Sequence, residues 1–246
     1  MSTHDHQERP QNPALPTHEA GAVAGKQLPA TFGERRDHWN TIHTSKSPEQ
    51  TSWYEPHLHT SLEWIIRAAP DRSASIIDIG AGQSTLIDDL LFADYRNLTA
   101  LDIASAALDR SRARLAVSPV AEAASHVGWL VADVAQPDLP PDILPPATFD
   151  LWHDRAVFHF LTEPAQRQTY IERLAASLRP SGRAILATFG PDGPQKCSGL
   201  PTMRYSADSL SAELGPQFTL QHSALIDHAT PTGATQQFLY CDFLRA

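Results

Sequence analysis

Apolar and polar positions change period several times along the chain. Between Pro56 and Ala69, Leu58, Leu62, Ile65, Ile66 and Ala69 recur at intervals of three and four, the stripe of an amphipathic helix. Ile76, Ile77 and Ile79 then form a short apolar run that predicts a buried strand, broken at Gly80 and Gly82 and followed by a helical restart at Leu86, Ile87, Leu90 and Leu91. Further strands are predicted over Leu98–Asp102, Gly128–Ala132, Phe149–Trp152 and Arg183–Phe189. Helices fall between them. Ala104, Ala107, Leu108, Ser111 and Leu115 share a face, and Glu163–Leu178 is a helix with Pro164 in its first turn, ended by Pro180 and Gly182. Two last runs, near Phe218–Ile226 and Gln237–Leu244, flank a loop with Pro231 and Gly233 and predict an antiparallel hairpin.

Strand alternating with helix predicts an α/β fold, a doubly wound Rossmann-like sheet of seven strands with a C-terminal antiparallel hairpin. Residues 1–33, rich in Pro, His, Gln, Ala and Thr, are expected to be a disordered tail, with the irregularly spaced His4, His6 and His18 solvated rather than ligating. The rest, 34–246, is expected to be one domain: a helical cap over 34–70 and a core over 74–246. In the cap, Trp39, Ile42 and His43 fall at helical spacing, and Trp53 and Tyr54 sit between two helices, where they either pack or form a lid.

Chemistry concentrates at the strand ends. Asp78 is a carboxylate inside an apolar strand and must find donors or water, so it is expected at the strand's open end, facing a ligand or the turn's amides. A dinucleotide site wants a third glycine, but Thr85 occupies that position. Asp102 closes the second strand about twenty residues on, where a carboxylate can bind a ribose diol. Asp133 closes the third. These features are shared by nicotinamide and adenosyl cofactors.

From about Trp39 to the C-terminus the chain resembles the class I methyltransferases that use S-adenosylmethionine. The resemblance rests on Asp78-x-Gly80-x-Gly82, Asp102 and Asp133, acids at successive strand ends. It implies the terminal hairpin and a cofactor site built from Trp53, Asp78, Gly80, Gly82, Ser84, Asp102, Ile103, Asp133, Val134 and His153. Asp102 would hold the ribose and Asp133 would approach the adenine amino group. The Asp154-Arg155-Ala156 stretch, with Arg167 and Tyr170, is similar to thiopurine methyltransferase and its relatives. The Ser52-Trp53-Tyr54 segment looks like the elongation-factor lysine methyltransferases, and the two resemblances disagree about substrate.

Acceptor chemistry is expected where the fourth and fifth strands end. Trp152 to Phe160 carries His153, Asp154 and His159, the candidate catalytic groups: a histidine as general base, Asp154 to orient it or to bind an ammonium. The alternative for Asp154 is a turn cap paired with Arg155. A long loop from Phe189 to Pro201 is expected to cover the acceptor, with Lys196, Cys197, Arg204 or Tyr205 in contact and Cys197 in a packing or lid role. Methyl transfer needs no metal, and none is expected.

With 19 Lys and Arg against 28 Asp and Glu, a net charge of −9, and no basic run, nucleic acid is not an expected partner. No apolar run suits a membrane span or an export signal, and two cysteines suit a reducing compartment, so a cytoplasmic enzyme is expected. The reading is an S-adenosylmethionine-dependent methyltransferase acting on a small-molecule thiol, amine or hydroxyl. Alternatives are a protein side-chain N-methyltransferase, a non-catalytic cofactor-binding protein and a nicotinamide-type Rossmann enzyme. Oligomeric state is left open.

Overall fold

The computed structural model describes residues 31–246. The tail expected over 1–33 lies outside them, save its last residues, which open α1 (Phe32–Ser45) earlier than the expected boundary. Its start is set by a capping box: Thr31 Oγ1 accepts from the Glu34 amide at 3.2 Å while the Glu34 carboxylate accepts from the Thr31 amide at 2.9 Å. A single 3₁₀ turn, Pro48–Gln50, and the Trp53 segment lead to α2 (His59–Ala68), whose inner face buries Ser61, Trp64 and Ile65.

The core follows in chain order as β1 (Ser75–Ile79), α3 (Leu86–Phe92), β2 (Asn97–Asp102), α4 (Ser105–Ala116), α5 (Ala121–Ala124), β3 (Gly128–Val131) and β4 (Phe149–Arg155). Then come α6 (Pro164–Ser177), β5 (Leu178–Phe189), the short β6 (Lys196–Cys197) and β7 (Leu200–Pro201), α7 (Ala207–Leu214), β8 (Phe218–Ala229) and β9 (Thr235–Arg245). The main sheet has seven strands in the order β3-β2-β1-β4-β5-β9-β8. Its first five are parallel, while β9 runs antiparallel to both β5 and β8. The fold class is therefore the one expected. The small antiparallel ribbon of β6 and β7 was not.

Period-two alternation sorts the central strands between two apolar layers. Ile76 and Leu151 face the layer holding Trp64, Ile65, Leu86 and Leu90; Ile77, Ile79 and Trp152 face the one holding Tyr170, Ile171 and Leu174. Strand order reverses between β1 and β4, and that switch point opens a crevice at the carboxyl edge. Two strands outrun their expected ends. β4 continues through His153, Asp154 and Arg155 because β1 and β5 pair with it there. β5 begins at Leu178: Phe149 pairs with Leu178 and Leu151 with Arg183, so Pro180, Ser181 and Gly182 form an irregularity inside the strand rather than a stop before it.

Candidate active site

A cavity of about 400 Å³ lies over the carboxyl ends of β1, β2, β4 and β5, within the range of small-ligand sites. Trp39 and His43 of α1 and Trp53 roof it; Cys197, Leu200 and Pro201 of the β6–β7 ribbon and Phe238 of β9 close one side. A recess of about 60 Å³ adjoins it, lined by Asp78, Ser84 and His153 together with Trp53, Gly80 and Gly82.

One half of the cavity is built by the β1 turn and the ends of β2 and β3. Gly80 has φ +66°, and a Cβ there would stand 2.1 Å from Val157 Cγ2, so the turn admits no side chain. Gly82, at φ +56°, donates its amide to Asp102 Oδ2 at 2.8 Å, and the Ala104 amide donates to Asp102 Oδ1 at 2.7 Å. Burial pushes the Asp102 carboxyl up to about 6 against these bonds. Ile103 and Val134 line the same half, with Asp133 beyond. Asp133 is already engaged: Arg35 of α1 donates Nε and Nη2 to its Oδ2 at 2.8 and 2.6 Å, and the Ala135 amide donates to Oδ1 at 2.8 Å. An adenine amino group would share that carboxylate with a bidentate guanidinium, which the sequence reading did not foresee.

Asp78 and His153 are register partners on β1 and β4 and point to the same side. His153 Nδ1 lies 2.7 Å from Asp78 Oδ1, its Nε2 2.9 Å from Ser61 Oγ, and Ser61 Oγ 3.2 Å from Tyr240 Oη. These contacts join Tyr240, Ser61, His153 and Asp78 in one chain of hydrogen bonds. All of them are buried. Of the two surroundings expected for Asp78, a ligand or the turn amides, the amides are replaced by an imidazole while the carboxylate still lines the recess, and both nitrogens of His153 are spent inside the wall. The base role expected of His153 gives way to holding Asp78 in place.

The next residue points the other way. Asp154 is fully buried, accepts from the Val157 and Phe158 amides at 2.9 and 3.1 Å and from Tyr170 Oη at 2.6 Å, and lines neither cavity. Burial pushes it up to about 6. Its expected catalytic role is corrected to that of a cap for the strained turn where Ala156 takes φ +75°. Arg155 does not pair with it; it donates to Trp53 O at 3.0 Å and to Glu55 at 2.6 Å, and Glu55 also meets His228 Nδ1 at 3.0 Å. This ties the Trp53 segment to β4 and β8.

His159 does line the main cavity. The Phe189 amide can only donate, so His159 Nδ1 accepts from it at 3.2 Å and the ring proton sits on Nε2. Burial, with the nearby Arg155 guanidinium adding to it, pushes the imidazole down to about 3. A neutral ring whose one lone-pair nitrogen already accepts from the Phe189 amide has no lone pair left to act as a base, and the base role expected for His159 is corrected accordingly. Around it, Trp39, Trp53, Phe160, Phe189 and Phe238 make an aromatic half-cavity. Cys197 lines that half, its thiol pushed up chiefly by burial, which favours the thiol over the thiolate. Lys196 is exposed, Arg204 donates to Pro191 O and Tyr205 packs in the core, so of the loop contacts expected only Cys197 is at the cavity. Arg35, Phe160, Phe189, Phe238 and the Arg155–Glu55 pair were missed. Phe189 and Phe238 stand opposite each other on β5 and β9, a pairing visible only once hairpin register is known.

Residues 77–184 match the family described as a methyltransferase domain. A malonyl-[acyl-carrier protein] O-methyltransferase of Anoxybacillus flavithermus is 31% identical over 118 residues, 47% of this chain and 39% of that protein. The EEF1A lysine methyltransferase 2 of Danio rerio is 27% identical over 146 residues, 55% of this chain and 57% of that one. The chain thus spans about half the length of the curated relatives it matches. Among solved structures, a 1,6-didemethyltoxoflavin-N1-methyltransferase of Burkholderia thailandensis with bound 1,6-didemethyltoxoflavin and S-adenosylhomocysteine superposes with a TM-score of 0.62. The two share 21% identity over 96% of this chain and 93% of that one, a likeness of fold.

Proposed function

We propose that this chain, a member of the class I S-adenosylmethionine-dependent methyltransferases, moves the cofactor's methyl group to a small-molecule acceptor held in the aromatic half of the cavity. The cofactor fits the other half on this chain's own features. Gly80 and Gly82 put no Cβ on either side of Ala81, Asp102 lines the cavity, and Ile79, Leu101, Ile103 and Val134 offer an apolar bed for a base. When bound, it supplies an electrophilic methyl on a sulfonium. Asp102 would hold the ribose, and His153 would keep Asp78 at the turn.

The acceptor's lone pair forms the new bond to the methyl carbon as the carbon–sulfur bond breaks, its electron pair returning to sulfur. An acceptor N–H, O–H or S–H gives its proton to water, because among the described residues no group on this wall is placed as a base. What the residues contribute is alignment and exclusion of water: Trp39 and Trp53 from above, Arg155 and His159 from the side.

The observation that carries the small-molecule reading is the charge on the acceptor wall. The carboxylates lining the cavity are Asp102 and Asp133 at the cofactor end and the exposed Glu163; the charged side chain within the aromatic half is Arg155, a cation. A lysine ammonium would meet no buried anion there. With methyl-labelled S-adenosylmethionine and equal concentrations of aromatic phenols, thiols and heterocycles beside lysine-containing peptides, label is expected on the aromatic compounds. Label on peptide lysine alone would replace this reading with the protein N-methyltransferase that the zebrafish relative's name suggests.

A further inference from the structure

Helix α1 turns Arg35, Trp39 and His43, at intervals of four, to the crevice. His43 is the buried residue of that helix, and it lines both the main cavity and the recess beside it. Its ring proton can be placed from its neighbours. The His43 carbonyl can only accept, so the Gln83 carboxamide presents its nitrogen there, at 3.1 Å, and keeps its oxygen for Arg110 Nη1 at 3.4 Å. The same nitrogen lies 3.1 Å from His43 Nδ1, which therefore accepts. Burial, with the Arg110 guanidinium adding to it, pushes the imidazole down to about 4, so near neutral pH the ring is uncharged and its proton sits on Nε2. That N–H has no hydrogen-bond partner among the described residues, and it is not one of the partnerless atoms that burial seals off. The ring edge between the two nitrogens faces the glycine turn. Cε1 lies 3.7 Å from the point a Cβ would take on Gly82, with Gly80 O also at 3.7 Å and Asp102 Oδ2 at 3.9 Å from the same point. A neutral imidazole and a carboxylate thus flank one small space over a residue without a side chain.

We propose that His43 binds the cofactor's ribose, its Nε2–H donating to an oxygen of the hydroxyl pair that Asp102 accepts. The inference rests on the methyltransferase reading above and adds a residue of the roof to the cofactor half. A hydroxyl has one proton to give and lone pairs to fill. Ionised Asp102 can only accept, so it takes the protons, and the lone pairs need a donor, which His43 supplies from α1. The imidazole loses its charge at about 4 and the Asp102 carboxyl ionises at about 6, so the donor is neutral wherever the carboxylate is charged. Gln83 fixes Nδ1, and the Trp39 and Trp53 rings pack with centroids each 6.4 Å from that of His43, so the ring is in position before a ligand arrives. A ribose held from both sides ties α1 to the end of β2.

The test titrates S-adenosylhomocysteine and 5′-methylthioadenosine, which keeps the adenosine but lacks the amino-acid end, calorimetrically into the full chain. His43→Asn keeps a side-chain oxygen to accept from Gln83 but removes the Nε2 donor, and both ligands should bind about tenfold more weakly to it. His43→Gln, long enough to return an N–H near Nε2, should recover part of that loss for both. As a check that needs no variant to fold, a crystal structure of wild type with 5′-methylthioadenosine should place a ribose oxygen within about 3.2 Å of His43 Nε2. Weakening of S-adenosylhomocysteine alone would move the donor to the amino-acid end and overturn the ribose assignment, as would 5′-methylthioadenosine failing to bind a wild type that binds S-adenosylhomocysteine. Affinities untouched by His43→Asn in a folded protein, equal losses in the Asn and Gln variants, or a ribose out of hydrogen-bond reach of Nε2 would overturn it too. A wild type that binds neither ligand would instead strike the methyltransferase reading, and the inference falls with it.

Discussion

At the residue scale, neighbours along one strand have divergent roles because the strand alternates. His153 and Arg155 point toward α2 and the Trp53 segment, Asp154 toward Tyr170 of α6. A sequence reading ranks all three together as titratable groups near a strand end; only the face each occupies tells a wall residue from a cap. Asp154→Ala should therefore act through stability. It leaves the Val157 and Phe158 amides and Tyr170 Oη without their acceptor, at a cost of about 3 kcal/mol or more, and thermal unfolding should show a lowered Tm while cofactor affinity of the folded fraction is kept. Unchanged Tm with lost turnover would return Asp154 to the chemistry.

Asp102 carries consequences of opposite sign. Its ionised form accepts hydroxyls best, so S-adenosylhomocysteine affinity, read by calorimetry between pH 5 and 8, should hold above neutrality and fall as pH drops through about 6. Stability moves the other way. The folded value of about 6 stands above the ordinary 3.8, so the folded chain holds the proton that the unfolded chain gives up, and this group's contribution grows as pH falls from 6 toward 4. Relative to Asp102→Asn, wild type should gain stability over that interval in denaturant titrations; a gain on raising pH would contradict the assignment.

At the element scale, the sheet was legible because its strands carry β-branched and aromatic runs bounded by glycine and proline. What stayed hidden were the elements made by tertiary pairing: the β6–β7 ribbon, two residues per strand, and the early start of β5 through Pro180 and Gly182. The roof was half-legible. Trp39 and Trp53 were marked as aromatics ahead of the core, but their fastenings, Arg35 to Asp133 and Arg155 with His228 to Glu55, join residues far apart in sequence and follow no local spacing. The Arg35–Asp133 pair holds α1 over the cofactor half. Arg35→Ala should raise the S-adenosylhomocysteine dissociation rate several-fold in a stopped-flow measurement of tryptophan fluorescence. A slower release would mean that the guanidinium competes with the ligand for Asp133 more than it holds the roof.

At the scale of the whole molecule, the seven-stranded order with β9 between β5 and β8 places every strand-end acid of the sequence motif along one crevice. On one side of that crevice, the Gly80 and Gly82 turn and the strand-end Asp102 were readable in advance as local features of a strand–turn–helix pattern. The acceptor half was not: its walls come from α1, β5, β7 and β9, brought together only by the folded topology. Among the described residues no helix is long and apolar enough to cross a membrane.

We propose that this crevice holds an adenosyl cofactor through Asp102. Parallel calorimetric titrations of wild type and Asp102→Ala with S-adenosylhomocysteine and with NAD test it directly. Binding of S-adenosylhomocysteine near micromolar in wild type, weakened about a hundredfold in a folded variant, with no binding of NAD, is the predicted result. NAD binding in preference, or S-adenosylhomocysteine affinity indifferent to the loss of Asp102, would contradict it.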